Sequence, residues 1–435
     1  MSNIDVPVAA IPATAPPATP FGRLITAMLT SNVGALVALI TPLQLLLTLQ
    51  LTRIAGTEAA IAFGIVTGFG ALFALIANPL AGRISDRTAA RFGRRRTWIL
   101  TGALSGSLAV FAFGFTTEVW QVGVVWCITQ ALFNFQQAAT SALLADQVPA
   151  LKRGTVSGTV GLAAAIGPLA GIAAVSTITD PVIQFGVIAV IAAVLGVVAV
   201  LLLRDPQHTR TADQQTLSLL ELAKSFWLNP RRHPAFGWAW AVRFLLTCAY
   251  ASGTYNAFFL INRFGIAPAD VGAIVLTLSL ISVALLAVTS VTAGLISDRL
   301  RRQKPFVIAA GVLAAVALAM MAFAPSIEFV YLATAGIGIG TGLFFSIDSA
   351  MCVRMLPSLE NAGKDLAIIN MANTLPQSFV PFIAPVLLLI GSYTALYLTL
   401  GALALVGALL VLRLPELGKE GDPRWALITR PTAAN

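Results

Sequence analysis

The sequence predicts an all-α membrane protein: twelve transmembrane helices in two pseudo-symmetric six-helix bundles. Three observations carry that expectation. The first is composition. Of 435 residues, 57% are hydrophobic and 10% charged, whereas a soluble domain carries about 25% charged residues. The second is a series of twelve apolar stretches, each long enough to cross about 30 Å of hydrocarbon as a helix. The third is a repeated charged turn. Gly-x-x-x-Asp-Arg occurs at Gly82–Arg87 and again at Gly294–Arg299, 212 residues on. Each copy lies between two apolar stretches and leads into a cluster of Arg and Lys. Duplicated bundles of this kind are the usual architecture of secondary transporters.

Residues 1–21 are rich in Pro and Ala and carry no basic segment followed by an apolar core. They read as a disordered tail rather than a signal peptide. The apolar spans then run 22–51, 58–82, 97–116, 119–145, 155–178 and 182–203 in a first bundle (22–203). A second bundle (235–413) holds 235–262, 269–296, 304–324, 328–355, 366–390 and 393–413. Between the bundles lies a linker, 204–234. Leu217, Leu220, Ala223 and Phe226 recur there at helical spacing and predict a short amphipathic helix on the membrane surface. Its two histidines, His208 and His233, read as solvated loop residues. Cys127, Cys248 and Cys352 fall inside apolar spans and read as small buried hydrophobes. A last tail occupies 414–435.

Charge sets the orientation. The connections after odd-numbered spans hold Arg53 and Arg263 and little else that is basic. The alternate connections hold Arg87, Arg91, Arg94, Arg95, Arg96, Lys152, Arg153, Arg231, Arg232, Arg299, Arg301, Arg302 and Lys304. Basic residues mark the cytoplasmic side, so both termini are expected there, in a multi-pass protein of the cell membrane. The pI of about 10 therefore reflects topology and does not point to nucleic acid.

The turn between the second and third spans reads G-x-x-x-D-R-x-x-x-R-x-G-R-R. It resembles the signature loop of the major facilitator superfamily, and the twelve spans, the linker and the second motif copy extend the resemblance over the whole chain. Gly82 and Gly294 are expected to allow close helix approach. Asp86 and Asp298 close helices at their carbonyl-rich ends, where a carboxylate needs a cationic partner. The resemblance implies that Asp86 belongs to a cytoplasmic gate, with Arg87, Arg91, Arg94 and, in the second copy, Arg299. Asp146 and Arg153 in "ADQVPALKRG" add a second charged pair to that gate.

A narrower resemblance is to the glycoside–pentoside–hexuronide cation symporters and the sucrose-transporter-like group. At their loop this chain has Pro79, Gly82, Asp86, Arg87, Thr88, Arg91, Gly93, Arg94, Arg96 and Trp98 in common, with Asn78 and Thr97 in place of the pattern's Asp and Pro. Those symporters place two cation-binding carboxylates on the second helix. The corresponding positions are Ala74 and Asn78, neither of which carries charge, so a sodium site of that kind is not expected. "GLAAAIGPLAGI", with Gly161, Gly167, Pro168 and Gly171, resembles a motif of drug–proton antiporters and keeps an exporter as the alternative.

Two ionisable residues lie well inside spans, Arg243 and Asp348, each roughly 12 Å from the cytoplasmic surface at 1.5 Å per residue. Opposite charges at matched depth predict a pair, and an intramembrane acid is a functional candidate. Asp348 is the expected proton carrier, with Arg243 as its partner. Polar residues also form helical stripes. Gln130, Asn134 and Gln137 share one face of the fourth span, and Tyr250, Asn256, Asn370, Asn373, Gln377 and Asp348 add polar or aromatic groups on spans 7, 10 and 11. A cavity lined by amides and aromatics suits a neutral polyhydroxylated solute. The expected function is transport of a small molecule, a sugar or glycoside, by alternating access, either by proton symport or by facilitated diffusion. The protein is expected to act as a monomer in the lipid bilayer without a cofactor. No P-loop, H-E-x-x-H or G-x-S-x-G motif suggests an enzyme.

Overall fold

A backbone that crosses hydrocarbon must satisfy its own N–H and C=O groups, and here each apolar run does so as helix. The computed structural model describes residues 19–88, 90–149, 152–205, 234–300, 302–354 and 362–414. The first eighteen residues, the linker helix expected near Leu217, His208, His233 and the C-terminal tail from 415 lie outside the described residues.

In the first bundle, α1 (Phe21–Thr41), a π-helical turn (Pro42–Leu46) and α2 (Leu47–Ala55) form the first crossing. Then come α3 (Ala59–Arg87), α4 (Arg94–Ala112) and α5 (Val119–Gln147). The fifth crossing is α6 (Arg153–Gly161) with α7 (Ala163–Val175), and the sixth is α8 (Pro181–Leu202). The second bundle repeats the plan. Its first crossing is α9 (Pro234–Tyr250), a 3-10 turn (Ala251–Tyr255) and α10 (Asn256–Phe264). It continues with α11 (Pro268–Leu300), α12 (Lys304–Ala322) and α13 (Ile327–Arg354). Finally α14 (Ala362–Leu410) breaks at Gly391 and Ser392 into two crossings.

Among the described residues nine stretches qualify as spans by length and hydropathy alone, and two of these, Phe21–Asp86 and Met371–Arg413, contain a reversal and count twice. The twelfth crossing is α5, whose 29 residues are long enough but whose amides lower its hydropathy. Leu108, Leu201 and Ile390 are about 70–77% exposed, as residues facing lipid should be.

Helix ends are set locally. Glu118 and Gln121 form a reciprocal capping box at the start of α5. Asp180 accepts from the Ile183 N–H at 2.9 Å, ahead of Pro181 in the first turn of α8. Gly56 (φ 55°) and Gly265 (φ 64°) close α2 and α10 in the left-handed region that favours glycine.

In the first bundle α1 packs on α8, α7 and α5, and α3 packs on α5. In the second, α9 packs on α14, and α11 and α12 pack on α13. The bundles meet through α3 with α14, α7 with α11, and the π turn with the 3-10 turn. Both crossings that open a bundle are therefore non-α-helical at matching places, and those places touch. We call the end bearing Thr88, Gly93, Val148, Lys152 and Gln303 the basic end.

Candidate functional site

Three helices bring charge to one point at the basic end. α3 ends on Ser85 and Asp86, α4 begins on Arg94 and Arg95, and α5 ends near Asp146. Arg95 is the hub. Its Nη2 lies 2.6 Å from Asp86 Oδ1 and its Nε 2.8 Å from Asp146 Oδ2. Its Nη1 donates to Ser85 Oγ at 2.9 Å. Arg94 Nη2 reaches Asp146 Oδ2 at 2.9 Å. Each of these charges sits at the unfavourable end of its own helix dipole: acids at carbonyl termini, arginines at an amide terminus. Their mutual pairing offsets that. The buried guanidinium of Arg95 uses its planar fork on three acceptors, which Lys could not do.

Asp205 supplies the missing anion at the start of α4, accepting from the backbone N–H groups of Arg95 and Arg96. Gly93 has φ 102°, and a Cβ there would fall 2.5 Å from the Asp205 carbonyl oxygen. Trp98 Nε1 donates to Thr88 Oγ1 at 2.7 Å and closes the loop. The nearest sequence signal for Asp205 was its place directly after the sixth span.

Two expectations are corrected here. Arg153 does not pair with Asp146. Its guanidinium donates to the carbonyls of Val148 and Ala145, because Arg94 and Arg95 already occupy the carboxylate. Gly82 and Gly294 do not support close helix approach among the described residues, since a Cβ at either would meet none of their atoms within 4 Å. The glycines that carry close packing are elsewhere. Gly167 and Gly171 lie against α1, where Thr41 Oγ1 would stand 1.9 Å from a Cβ on Gly171. Arg91 and Arg299 are exposed. The side chains of Arg87, Asp298, Asn370 and Cys352 lie outside the described residues.

Inside the second bundle, Arg243 Nη1 and Asp348 Oδ2 are 3.0 Å apart, with side-chain exposures of 8% and 0%. They join α9 to α13. Removing two charges from water is costly, and such a pair holds only while both members are present. Thr247, one turn on from Arg243, is buried as well. Tyr250 OH donates to the Ala310 carbonyl at 3.4 Å, and its ring stands 5.9 Å from Phe344. Tyr250 is thus packed within its own bundle.

The two faces of α5 do different work. Thr129, Gln136 and Thr140 face inward. Gln136 Nε2 donates to the Ser31 carbonyl at 3.0 Å, and Ser31 Oγ and Thr140 Oγ1 are 2.7 Å apart. This knot ties α1 to α5 and had no clear signal in the sequence, where Gln136 and Gln137 are neighbours of one type. Gln130 and Gln137 lie on the other face, half-buried. No hydrogen bond from either side chain occurs among the described residues. Asn134 is buried and spends its Nδ2 on the Gln130 carbonyl at 2.7 Å. On α14, Asn373 is half-buried and Gln377 exposed, and Asn256 is half-buried at the start of α10. Among the described residues no hydrogen bond joins the α5 amides to those of α14.

The described close approaches between bundles lie at the end away from the basic loops. The Phe63 ring on α3 packs edge-on against Tyr255 at 5.3 Å and Phe258 at 5.2 Å, all three buried. A Cβ on Gly64 would sit 2.1 Å from Pro385 Cγ, and one on Gly68 2.8 Å from Phe382. On the other side of the pseudo-twofold, a Cβ on Gly272 would sit 2.5 Å from the Ser176 carbonyl oxygen. At Gly64 and Gly272 glycine is needed because two helix backbones touch, and at Gly68 because the Phe382 ring lies against the helix.

Comparison with known proteins adds the following. The model of the Major Facilitator Superfamily matches residues 21–287 and 259–434. Multidrug resistance protein MdtG of Proteus mirabilis (strain HI4320) is 32% identical over 108 residues, 25% of this chain and 25% of that protein. The chain thus spans about a quarter of the length of the curated relatives it matches. Among solved structures, a D-xylose-proton symporter superposes with TM-score 0.68 at 16% identity, covering 92% of this chain and 99% of that one. The nucleoside transporter NupG gives 0.67 at 15% identity, covering 89% and 99%. These likenesses at low identity speak for the fold alone.

Proposed function

The chain belongs to the major facilitator superfamily, and from that premise we propose that it moves a small polar organic solute, a sugar or glycoside, across a cell membrane by alternating access. The observation that carries this reading is the unspent polar face of α5. Gln130 and Gln137 hold amide groups inside the bilayer with no side-chain hydrogen bond among the described residues, while Gln136 and Thr140 on the adjacent face of the same helix are tied to Ser31. Unsatisfied amides are costly in hydrocarbon and belong beside water or a hydrogen-bonding solute. Asn373 and Gln377 on α14, half-buried and exposed, are further amides in the second bundle.

The basic end is the cytoplasmic side by the distribution of Arg and Lys, which puts both termini in the cytoplasm. The aromatic and glycine seal then closes the outer side, and this conformation opens inward. Asp86 and Asp146 turn to Arg94 and Arg95 of their own bundle, as gate residues do when the inner gate is released. Arg243 and Asp348 form the coupling pair. A proton taken from water by Asp348 removes its charge and its hold on Arg243, so that α9 and α13 separate. A sodium site of the symporter kind is not part of this reading, since Ala74 and Asn78 on α3 offer no carboxylate. The protein works as a monomer.

A second reading is proton-linked export of a drug. It is favoured by the partial match to MdtG and by the tight packing of Gly167 and Gly171 on α1. One experiment separates the two: a thermal-shift screen of purified protein against neutral sugars, glycosides and amphiphilic drugs, followed by flux in proteoliposomes. Stabilisation by a sugar that is lost in Gln130→Ala and Gln137→Ala supports the first reading. Stabilisation only by apolar cations, insensitive to those changes, supports the second.

A further inference from the structure

The groove between α3 and α5, near the end away from the basic loops, has no part in the transport reading. It encloses about 720 Å³. Its walls are Ile65, Phe69 and Phe73 from α3 and Trp120, Val124 and Ile128 from α5, each 46–68% exposed. Gly123 leaves its floor open: a Cβ there would meet only Val66, at 3.8 Å. The walls are apolar and face the membrane, so the occupant is a hydrocarbon chain rather than water.

Three further features say which one. Trp120 is exposed at the start of α5, where an indole marks the boundary between headgroups and hydrocarbon. From Val119 to Ile128 the groove runs roughly 14 Å along the helix, about half the 30 Å of a bilayer's hydrocarbon, which is one leaflet. Glu118 stands at the mouth, two residues outward from Trp120. Its carboxylate is exposed, and among the described residues it enters no ion pair. Its only described partner is the backbone N–H of Gln121 in the capping box. An anion at headgroup depth over an apolar groove is complementary to an ammonium on an acyl-chain lipid. The second bundle differs at the floor position. The helices α5 and α13 start 208 residues apart, and the residue matching Gly123 at that spacing is Tyr331, which packs against the core.

We propose that this groove holds one acyl chain of an aminophospholipid from the outer leaflet, with its ammonium headgroup against Glu118. The test is native mass spectrometry of the full chain, delipidated and then titrated with palmitoyl-oleoyl lipids bearing ethanolamine, choline or glycerol headgroups. Wild type is expected to retain one phosphatidylethanolamine at least tenfold better than phosphatidylglycerol. Glu118→Gln, which keeps the capping acceptor and removes the charge, should abolish that preference. Gly123→Leu, which fills the floor, should lose the bound lipid, with Gly123→Ala intermediate. Far-ultraviolet circular dichroism and gel filtration of each variant guard against misfolding. Equal retention by Gly123→Leu, or a preference for phosphatidylglycerol, overturns the proposal. So does displacement of the lipid by stoichiometric tetraphenylphosphonium, which would make the groove a site for lipophilic cations instead. None of these outcomes depends on which solute is transported.

Discussion

The first bundle joins its first and fourth crossings with neutral hydrogen bonds, and the second joins the matching crossings with an ion pair. Ser31 and Arg243 are 212 residues apart, on crossings that start at Phe21 and Pro234, 213 apart. Thr140 and Asp348 are 208 apart, on helices that start at Val119 and Ile327, also 208 apart. The Ser31–Thr140 contact of 2.7 Å and the Arg243–Asp348 contact of 3.0 Å therefore occupy equivalent places under the pseudo-twofold. Duplication kept the packing site and changed its chemistry. A hydroxyl pair is satisfied in one geometry and is indifferent to protons. A buried ion pair depends on the charge of both partners, so one proton changes how α9 and α13 hold together. The proposed coupling pair thus lies in the second bundle, and the first bundle has a neutral contact at the matching place.

The largest effect expected from this contrast follows loss of one charge. Asp348→Ala removes one member of a buried ion pair and should cost up to about 3–5 kcal/mol of stability, whereas replacing both partners together with apolar residues should recover most of it. Thermal unfolding in detergent measures both. Asp348→Asn should abolish accumulation of solute against a gradient while sparing exchange between equal pools in proteoliposomes. Undiminished accumulation would leave Asp348 a structural partner of Arg243 only.

Next is the seal that both bundles share. Gly64→Ala sets a methyl into Pro385 and should push the population away from the sealed conformation. Labelling of a cysteine placed near Tyr255 from the outer side should rise at least tenfold, equivalent to about 1.4 kcal/mol. Unchanged labelling would mean that α3 and α14 separate for another reason.

The neutral knot should respond less. Ser31→Ala should cost about 1 kcal/mol and leave the coupling of transport to the proton gradient intact. A loss of coupling there would erase the distinction between the bundles. Asp205→Ala, removing a helix cap, should cost a similar amount, read as a lower melting temperature.

The smallest change in stability belongs to Asp86→Asn. Its side chain is 53% exposed, and a pair so placed contributes at most about 1 kcal/mol. Arg95 also keeps Asp146. Transport should nonetheless fall, because Asp86 is proposed to serve the gate in the opposite conformation. Wild-type flux in this variant would remove Asp86 from the gate.

The sequence alone was enough for the class of fold, the number of crossings and most helix limits to within a few residues. Those properties are local: length, hydropathy and the sign of charge in each connection are sums over neighbours in the chain. The candidate pair of Arg243 and Asp348 was legible for a related reason, since charge in hydrocarbon is rare and depth can be counted from a helix end. Other features were settled only in three dimensions. Among three consecutive arginines, Arg95 became the buried hub because the rotational phases of α3, α4 and α5 meet at its side of the turn. Gln136 went into the core and Gln137 did not, although one residue and no chemistry separates them. Arg153 lost Asp146 to nearer donors, and Gly82 and Gly294 lie open while Gly64 and Gly272 are pressed against the other bundle. Which glycine is needed depends on where two helices cross and on which side of the membrane the bundles have closed. Neither is a property of any segment taken by itself.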